Sequence, residues 1–263
     1  MENLNNYIIP MVDKTLEIIE YMYVRGGQIG ISQISKDLNL PKATVYRILT
    51  TLRKWDYVEK TEDLDKYMLG KAFIKVGSKV SSETTIASIA IPFINKLAKK
   101  IGESINLGIL HKGEVVTLYN AKGEDFYLIS NLIPVFPLNC SAMGKLFLLK
   151  FSDKELKDYF NSSKPEKRTV NSIGDLEGFL KLKKEIERDG VSYDREEYEY
   201  GLSCIAAPIY DNSKNIIAAI SISGPTTRLR YKGADYLKDL LVSTAQEISK
   251  VYSKMFNNNN IDL

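Results

Sequence analysis

The break Asn39-Leu40-Pro41 constrains this fold most, because it separates two short apolar patterns of helical period. The first pattern predicts a helix over Ser32–Leu38 with Ser32 as its N-cap. The second begins at Pro41, a residue suited to a first helical turn, and its apolar stripe consists of Val45, Ile48, Leu49 and Leu52. Two strand patterns, Tyr57–Lys60 and Lys66–Leu69, follow on either side of an acidic turn. This order predicts a winged helix-turn-helix.

A second region begins after the helical pattern Gly70–Ser82, whose apolar stripe is lost toward its end. We therefore predict a winged helix-turn-helix domain with a linker helix over residues 1–82 and a second domain over residues 83–263. The second domain mixes predicted helices with predicted strands, one of them Tyr127–Ile133. The predicted fold class is α+β, with an antiparallel sheet flanked by helices in the C-terminal domain.

Composition narrows the classes of function. The only histidine, His111, excludes a site with several histidine ligands, and we predict neither a metal nor a cofactor. The sequence has only two cysteines and shows neither a secretory pattern nor a long apolar run. We therefore predict a cytoplasmic protein without a membrane span. The net charge of +3 is small, so any nucleic-acid binding must come from a local basic patch.

Such a patch lies on the helix after Pro41, on the side opposite its apolar stripe. Four cations and no acid occur between positions 41 and 54, and a helix with this outer face fits the major groove of DNA. A solvated basic surface is the alternative for a lone helix, but the winged arrangement favours DNA binding. The candidate DNA contacts are Ser32, Gln33, Lys42, Ala43, Thr44, Tyr46, Arg47, Thr50, Lys54 and Lys66.

Small polar residues at predicted strand ends point to a ligand pocket in the second domain. Ser221 and Ser223 share one face of a strand, Cys204 lies on the preceding strand, and Asp194 is expected in a loop just before it. A helix start supplies free backbone N–H donors at Cys140, Ser141, Ala142, Met143 and Gly144. Because donors outnumber acceptors, we expect a small carboxylate or hydroxy acid. Satisfied sheet serines, a buried apolar cysteine and an ordinary turn aspartate remain the alternatives.

Four sequence blocks in fixed order resemble the IclR family of bacterial transcription regulators. They are Leu40–Leu49 with the strand patterns after it, Asp189–Gly201 (DGVSYDREEYEYG), Cys204–Pro208 (CIAAP) and Ser221–Pro225 (SISGP). The resemblance covers the chain from Val12 to about Arg228. Ala43 departs from the serine usual in the family's recognition helix, and Asn139 stands where a histidine is frequent.

The resemblance implies a GAF-like effector domain after the winged helix, and dimers or dimers of dimers on DNA. It also implies an effector pocket formed by Asp194, Cys204, Ser221 and Ser223 with the helix start Ser141–Gly144. Self-association is further expected from surplus apolar positions at Phe73, Ile74, Val76, Ile86 and Ile89.

No nucleophile elbow, Walker loop or metal-ligand spacing is present, so we predict that the protein is not an enzyme. The carboxylates of Asp194, Glu196, Glu197 and Glu199 are expected in an exposed acidic loop. The predicted function is a ligand-responsive regulator, more often a repressor, that binds a palindromic operator in double-stranded DNA. The alternative is a GAF-like small-molecule-binding protein or enzyme whose winged helix mediates protein contacts.

Overall fold

The computed structural model describes residues 7–61, 65–83, 85–123, 135–162 and 165–258. The chain divides into two compact units, Met1–Val80 and Ser81–Leu263. The predicted strand Tyr127–Ile133 lies outside the described residues. The assignment of domains to residues 1–82 and 83–263 stays a prediction.

The N-terminal unit is a winged helix-turn-helix, as the order of its patterns predicts. Its elements are α1 (Pro10–Arg25), β1 (Ile29–Gly30), α2 (Ile31–Asp37), α3 (Lys42–Lys54), β2 (Val58–Lys60) and β3 (Lys66–Leu69). The three strands form one antiparallel sheet in the order β1-β3-β2. Asn39 takes a left-handed backbone (φ 52°) in the turn between α2 and α3, a conformation that asparagine tolerates. The next helix is α4 (Ala72–Glu83).

Packing in this unit confirms the predicted buried face of α3 and corrects the start of α2. The predicted stripe of α3 is buried. α2 begins one residue earlier than predicted, with Gly30 as its N-cap, so Ser32 lies inside the helix. In α1 the buried residues are Ile18 and Met22, whereas Val12 and Leu16 are about half exposed.

The C-terminal unit is a six-stranded antiparallel sheet flanked by helices. Its elements are α5 (Thr85–Ile101), β4 (Ser104–His111), β5 (Glu114–Ala121), β6 (Val135–Phe136), α6 (Ala142–Leu148), α7 (Asp153–Asn161), α8 (Leu176–Asp189), β7 (Ser192–Arg195), β8 (Leu202–Tyr210), β9 (Ile216–Pro225), α9 (Thr226–Lys232) and α10 (Ala234–Asn258). The strand order is β6-β5-β4-β9-β8-β7. The patterns did not indicate β1, β6, β7 or α9.

The two faces of this sheet differ because polar and apolar residues alternate along its central strands. Ile105, Leu107 and Ile220 point to one face and share a buried apolar cluster with residues of α5 and α10. Asn106, between Ile105 and Leu107, and Ser221, next to Ile220, point to the opposite face. That opposite face carries the polar residues of the candidate ligand site.

Candidate functional site

The outer face of α3 is the candidate DNA-binding surface. Tyr46 is 54% exposed, and Lys42, Ala43, Arg47, Thr50 and Lys54 are also exposed. Thr44 is half-buried. The structure therefore places nearly all of the candidate side chains of α3 where a duplex can reach them.

The candidates outside α3 have other contacts. Gln33 is exposed, but its amide nitrogen Nε2 donates to Oδ1 of Asp37 at 2.7 Å. Asp37 also accepts from Tyr21 and Arg25, and these hydrogen bonds, led by that from Tyr21, lower its pKa to about 2. Lys66 is half-buried and lies beside Gln33 along a groove of about 420 Å³. Gln33 thus supports the fold of α2 whether or not it contacts DNA.

The polar face of the C-terminal sheet borders a small cavity, which we call the sheet cavity. Its lining residues are Asn106, Phe136, Ser141, Ala142, Met143, Asp194, Tyr198, Leu202, Cys204, Ser221 and Ser223. The cavity measures about 30 Å³, roughly the room that two water molecules need. Seven of the nine candidate pocket residues from the sequence therefore meet at one place, and Cys140 and Gly144 do not line it.

Strand register brings these residues together. Asp194 pairs with Cys204, and Cys204 pairs with Ser223, so three neighbouring strands place one polar residue each in a row. Ser221 lies two residues away on the same face and pairs with Asn106 of β4. Asp194 belongs to strand β7, which corrects its expected place in a loop.

Burial affects both cysteine thiols, Cys204 in the lining of the cavity and Cys140 outside it. The hydroxyl of Ser223 donates to Sγ of Cys204 at 3.2 Å, and burial raises the pKa of Cys204 well above its ordinary value. Burial also raises the pKa of Cys140 to about 12. Cys140 packs with Tyr198 and Leu202 in a small buried cluster. Both side chains remain thiols at neutral pH and serve as small apolar groups.

The start of α6 offers fewer free donors than the sequence predicts. The hydroxyl of Ser141 donates to the carbonyl of Pro137 at 2.6 Å and accepts from the backbone N–H of Gly144. Gly144 is required by packing, because a Cβ there would lie 2.5 Å from Cα of Leu138. The Ser141 hydroxyl and the Gly144 N–H, which the sequence assigned to the ligand, are therefore already hydrogen-bonded within the protein.

A buried charged cluster stands beside the cavity. Asp194 is 1% exposed, and its Oδ1 accepts from the backbone N–H groups of Glu197 and Tyr198 at 2.7 and 3.3 Å. Burial, the largest cause, raises the pKa of Asp194 to about 7, against the opposing effect of Lys145. Lys145 donates to Glu197, and both side chains are buried. The expectation of an exposed acidic loop is therefore wrong for Asp194 and Glu197.

Sequence reasoning missed five residues of the site, namely Asn106, Phe136, Lys145, Tyr198 and Leu202. Asn106 had a usable signal, since Ser104 and Asn106 alternate with apolar residues as Ser221 and Ser223 do. Lys145 had a weaker signal, a single cation inside the apolar run of α6. Asn139, in contrast, binds backbone groups of Glu166 and Ile173 and does not line the cavity.

The arrangement of a winged helix with a basic outer face, followed by a sheet with a polar cavity, defines a helix-turn-helix transcription regulator. Family comparison is consistent with both parts. Residues 11–62 match the IclR helix-turn-helix domain, and residues 78–250 match the bacterial transcriptional regulator IclR C-terminal domain. The chain belongs to the IclR family of bacterial transcription regulators. Its curated relatives carry the names of transcriptional repressors and not of enzymes.

Curated relatives and solved structures agree with this assignment. The HTH-type transcriptional repressors AllR of Salmonella typhimurium and Escherichia coli K12 are each 30% identical over 239 residues, covering 90% of this chain and 88% of theirs. The IclR crystal structure from Thermotoga maritima matches with a TM-score of 0.67 and 27% identity, covering 92% of this chain and 98% of that one. An IclR homologue from Microbacterium hydrocarbonoxydans, complexed with 4-hydroxybenzoate, has the same fold, with a TM-score of 0.73, 19% identity and coverage of 91% and 98%.

None of the helices in the described part of the chain is long and apolar enough to cross a membrane. In the same residues, no group of three or more His, Cys, Asp or Glu side chains is placed to hold a metal ion.

Proposed function

We propose that this protein is a ligand-responsive repressor of the cytoplasm that binds a palindromic operator through α3 and responds to a small polar metabolite in the sheet cavity. The observation that carries the proposal is the convergence of Asp194, Cys204, Ser221 and Ser223 on one buried cavity. The repressor names of the AllR relatives support the sign of the regulation.

The DNA-binding part of the proposal rests on the exposed face of α3. Arg47 and Tyr46 are exposed on this face, and arginine is suited to pairing with guanine in the major groove. Lys42 and Lys54 stand at the two ends of the helix, where cations reach phosphates. Ala43 has no polar atom for either role, so its contribution is limited to close approach.

The ligand part rests on the polar side chains that line a small cavity. A metabolite is larger than about 30 Å³, so binding requires lining side chains to move. Met143 is the most adaptable of them, because its thioether chain has three rotatable bonds. A hydroxylated carboxylate fits the mixture of serine hydroxyls and the Asp194 carboxyl better than a hydrocarbon does.

Self-association completes the proposal, because a palindrome calls for two symmetry-related readers. On α1, Val12 is 53% and Leu16 is 55% exposed, and one helical turn separates these apolar side chains. On α4, Ile74 is 70% exposed. Ile86, one of the positions predicted to be surplus, instead lies in the core of the C-terminal unit.

Two experiments test this function. Selection of duplexes from a random pool by the full chain, followed by anisotropy titrations at several salt concentrations, should yield a palindrome bound with a steep salt dependence. A wing used only for protein contacts would select no sequence and show no such slope.

A thermal-shift screen against sugar acids, keto acids and aromatic acids then identifies the ligand class, since a ligand of the folded state raises the midpoint. The best acid should also lower operator affinity. In the variant Ser221→Ala/Ser223→Ala, the acid should no longer raise the melting temperature. If this variant binds the acid as tightly as wild type, the two hydroxyls do not contact the ligand.

A further inference from the structure

A chain of polar side chains crosses four strands of the C-terminal sheet on its cavity face. Asn120 on β5 pairs with Asn106 on β4, and Asn106 pairs in turn with Ser221 on β9. Ser223 continues the chain to Cys204 on β8. These side chains are hydrogen-bonded to one another, so the orientation of each limits that of the next.

The direction of the chain is set at its β5 end. Nδ2 of Asn120 donates to Oδ1 of Asn106 at 2.6 Å. The oxygen and nitrogen of a carboxamide point in different directions. This bond therefore turns Nδ2 of Asn106 toward the two serines, at 3.0 Å from Oγ of Ser223 and 3.4 Å from Oγ of Ser221.

The hydroxyl oxygens of Ser221 and Ser223 thus each accept a hydrogen bond from Asn106. Each hydroxyl group must therefore donate its own proton to a group other than Asn106. The proton of Ser223 goes to Sγ of Cys204 at 3.2 Å. Ser221 is 3% exposed, and among the hydrogen bonds of the described residues its hydroxyl occurs only as the acceptor from Nδ2 of Asn106. Since Ser221 lines the sheet cavity, its hydroxyl is available to donate to a bound molecule.

We propose that Asn106 and Asn120 are positioning residues that orient Ser221 and Ser223 as hydrogen-bond donors, so that the sheet cavity selects a ligand with an acceptor facing Ser221. The selection of a ligand rests on the proposed function. The orientation of the serines does not, and it can be measured without any ligand.

The first test reads the Cys204 thiol by its S–H stretching band, which is identified by its loss in Cys204→Ala. Ser223→Ala removes the bond to Sγ and should shift the band. Asn120→Asp replaces the donor by an acceptor, so the Asn106 amide should turn over and draw both serine protons toward its oxygen. Asn120→Asp should then shift the band in the same direction as Ser223→Ala.

The exposed variant Asn212→Asp adds the same charge at the β8–β9 hairpin and should leave the band unchanged. Asn106→Asp presents only acceptors to the serines and should act like Asn120→Asp, which keeps the test open if one variant does not fold. The proposal is overturned if Ser223→Ala alone shifts the band, or if no variant does.

The second test titrates glycolate and its neutral amide, glycolamide, into wild type and Asn120→Asp by calorimetry. Loss of the Ser221 donor should weaken both probes by about tenfold or more. Repulsion by the new charge would weaken glycolate and spare glycolamide, and that pattern would contradict the proposal. If neither probe binds wild type, the ligand class of the proposed function fails, while the infrared result still decides the orientation of the serines.

Discussion

The ammonium group of Lys145 donates a hydrogen bond to the carboxylate of Glu197 in the interior of the C-terminal unit, where the two residues are 1% and 4% exposed. The pair holds the segment after β7 against α6, and that segment supplies the backbone donors of Asp194. Against the effect of burial, the charge of Lys145 also lowers the pKa of Asp194, although the ammonium group donates its hydrogen bond to Glu197.

Breaking this pair should destabilise the protein strongly. Lys145→Met leaves the Glu197 carboxylate buried without a partner and should cost about 3–5 kcal/mol of unfolding free energy. The double variant Lys145→Met/Glu197→Met removes both charges and should recover most of that loss. Urea denaturation of wild type, Lys145→Met, Glu197→Met and the double variant measures these losses, and a double-variant loss equal to the sum of the two single losses would show that the two residues do not interact.

Asp194 should make stability depend on pH. Its pKa rises from an ordinary value of 3.8 to about 7 in the folded protein, so between these values the folded state binds more protons than the unfolded state. Its contribution to the free energy of unfolding therefore falls as the pH rises through this window. Relative to wild type, Asp194→Asn should gain stability from pH 4 to pH 8, and parallel stability curves would contradict the assignment.

Gly144→Ala should destabilise the site end of α6. The new Cβ would meet the backbone of Leu138 at 2.5 Å, and backbone cannot move aside as a flexible side chain does, so a loss of about 2 kcal/mol or more is expected. Gly174→Ala is the matched control, because its Cβ would meet nothing within 4 Å. Equal melting temperatures for the two variants would show that α6 does not pack as described.

Arg47→Ala should weaken specific DNA binding without affecting the fold. An arginine on the recognition helix contributes about 1–3 kcal/mol to a specific complex, measurable by anisotropy on the selected duplex. Arg230→Ala, an exposed position of the C-terminal unit, serves as the control. A folded Arg47→Ala protein with wild-type affinity for the duplex would contradict the placement of α3 in the major groove.

Self-association should be visible by sedimentation velocity. We expect at least a dimer at micromolar concentration, and Leu16→Glu should weaken it by placing a charge on the exposed apolar side of α1. Leu180→Glu, at an exposed position on α8, is the control. A monomer at every concentration would contradict the proposed assembly.

The sequence by itself determined the features that depend only on interactions between residues close together in the chain. The spacing of Val45, Ile48 and Leu49 follows the helical period, and these residues are buried on α3 as predicted. The capping box of Ser152 and Glu155 likewise needs only residues three apart, and both of its hydrogen bonds are present. The alternation of Ser221 and Ser223 similarly placed both hydroxyls on one face.

Tertiary structure decided which distant groups meet. Lys145 and Glu197 are separated by 52 positions, and Asn106 and Ser221 by 115, so no local period relates them. Strand β7 forms although its four residues SYDR carry two charges, because pairing with β8 outweighs their weak strand propensity. Burial follows from that pairing, and burial converts Asp194 from an expected turn carboxylate into a group that titrates near neutral pH.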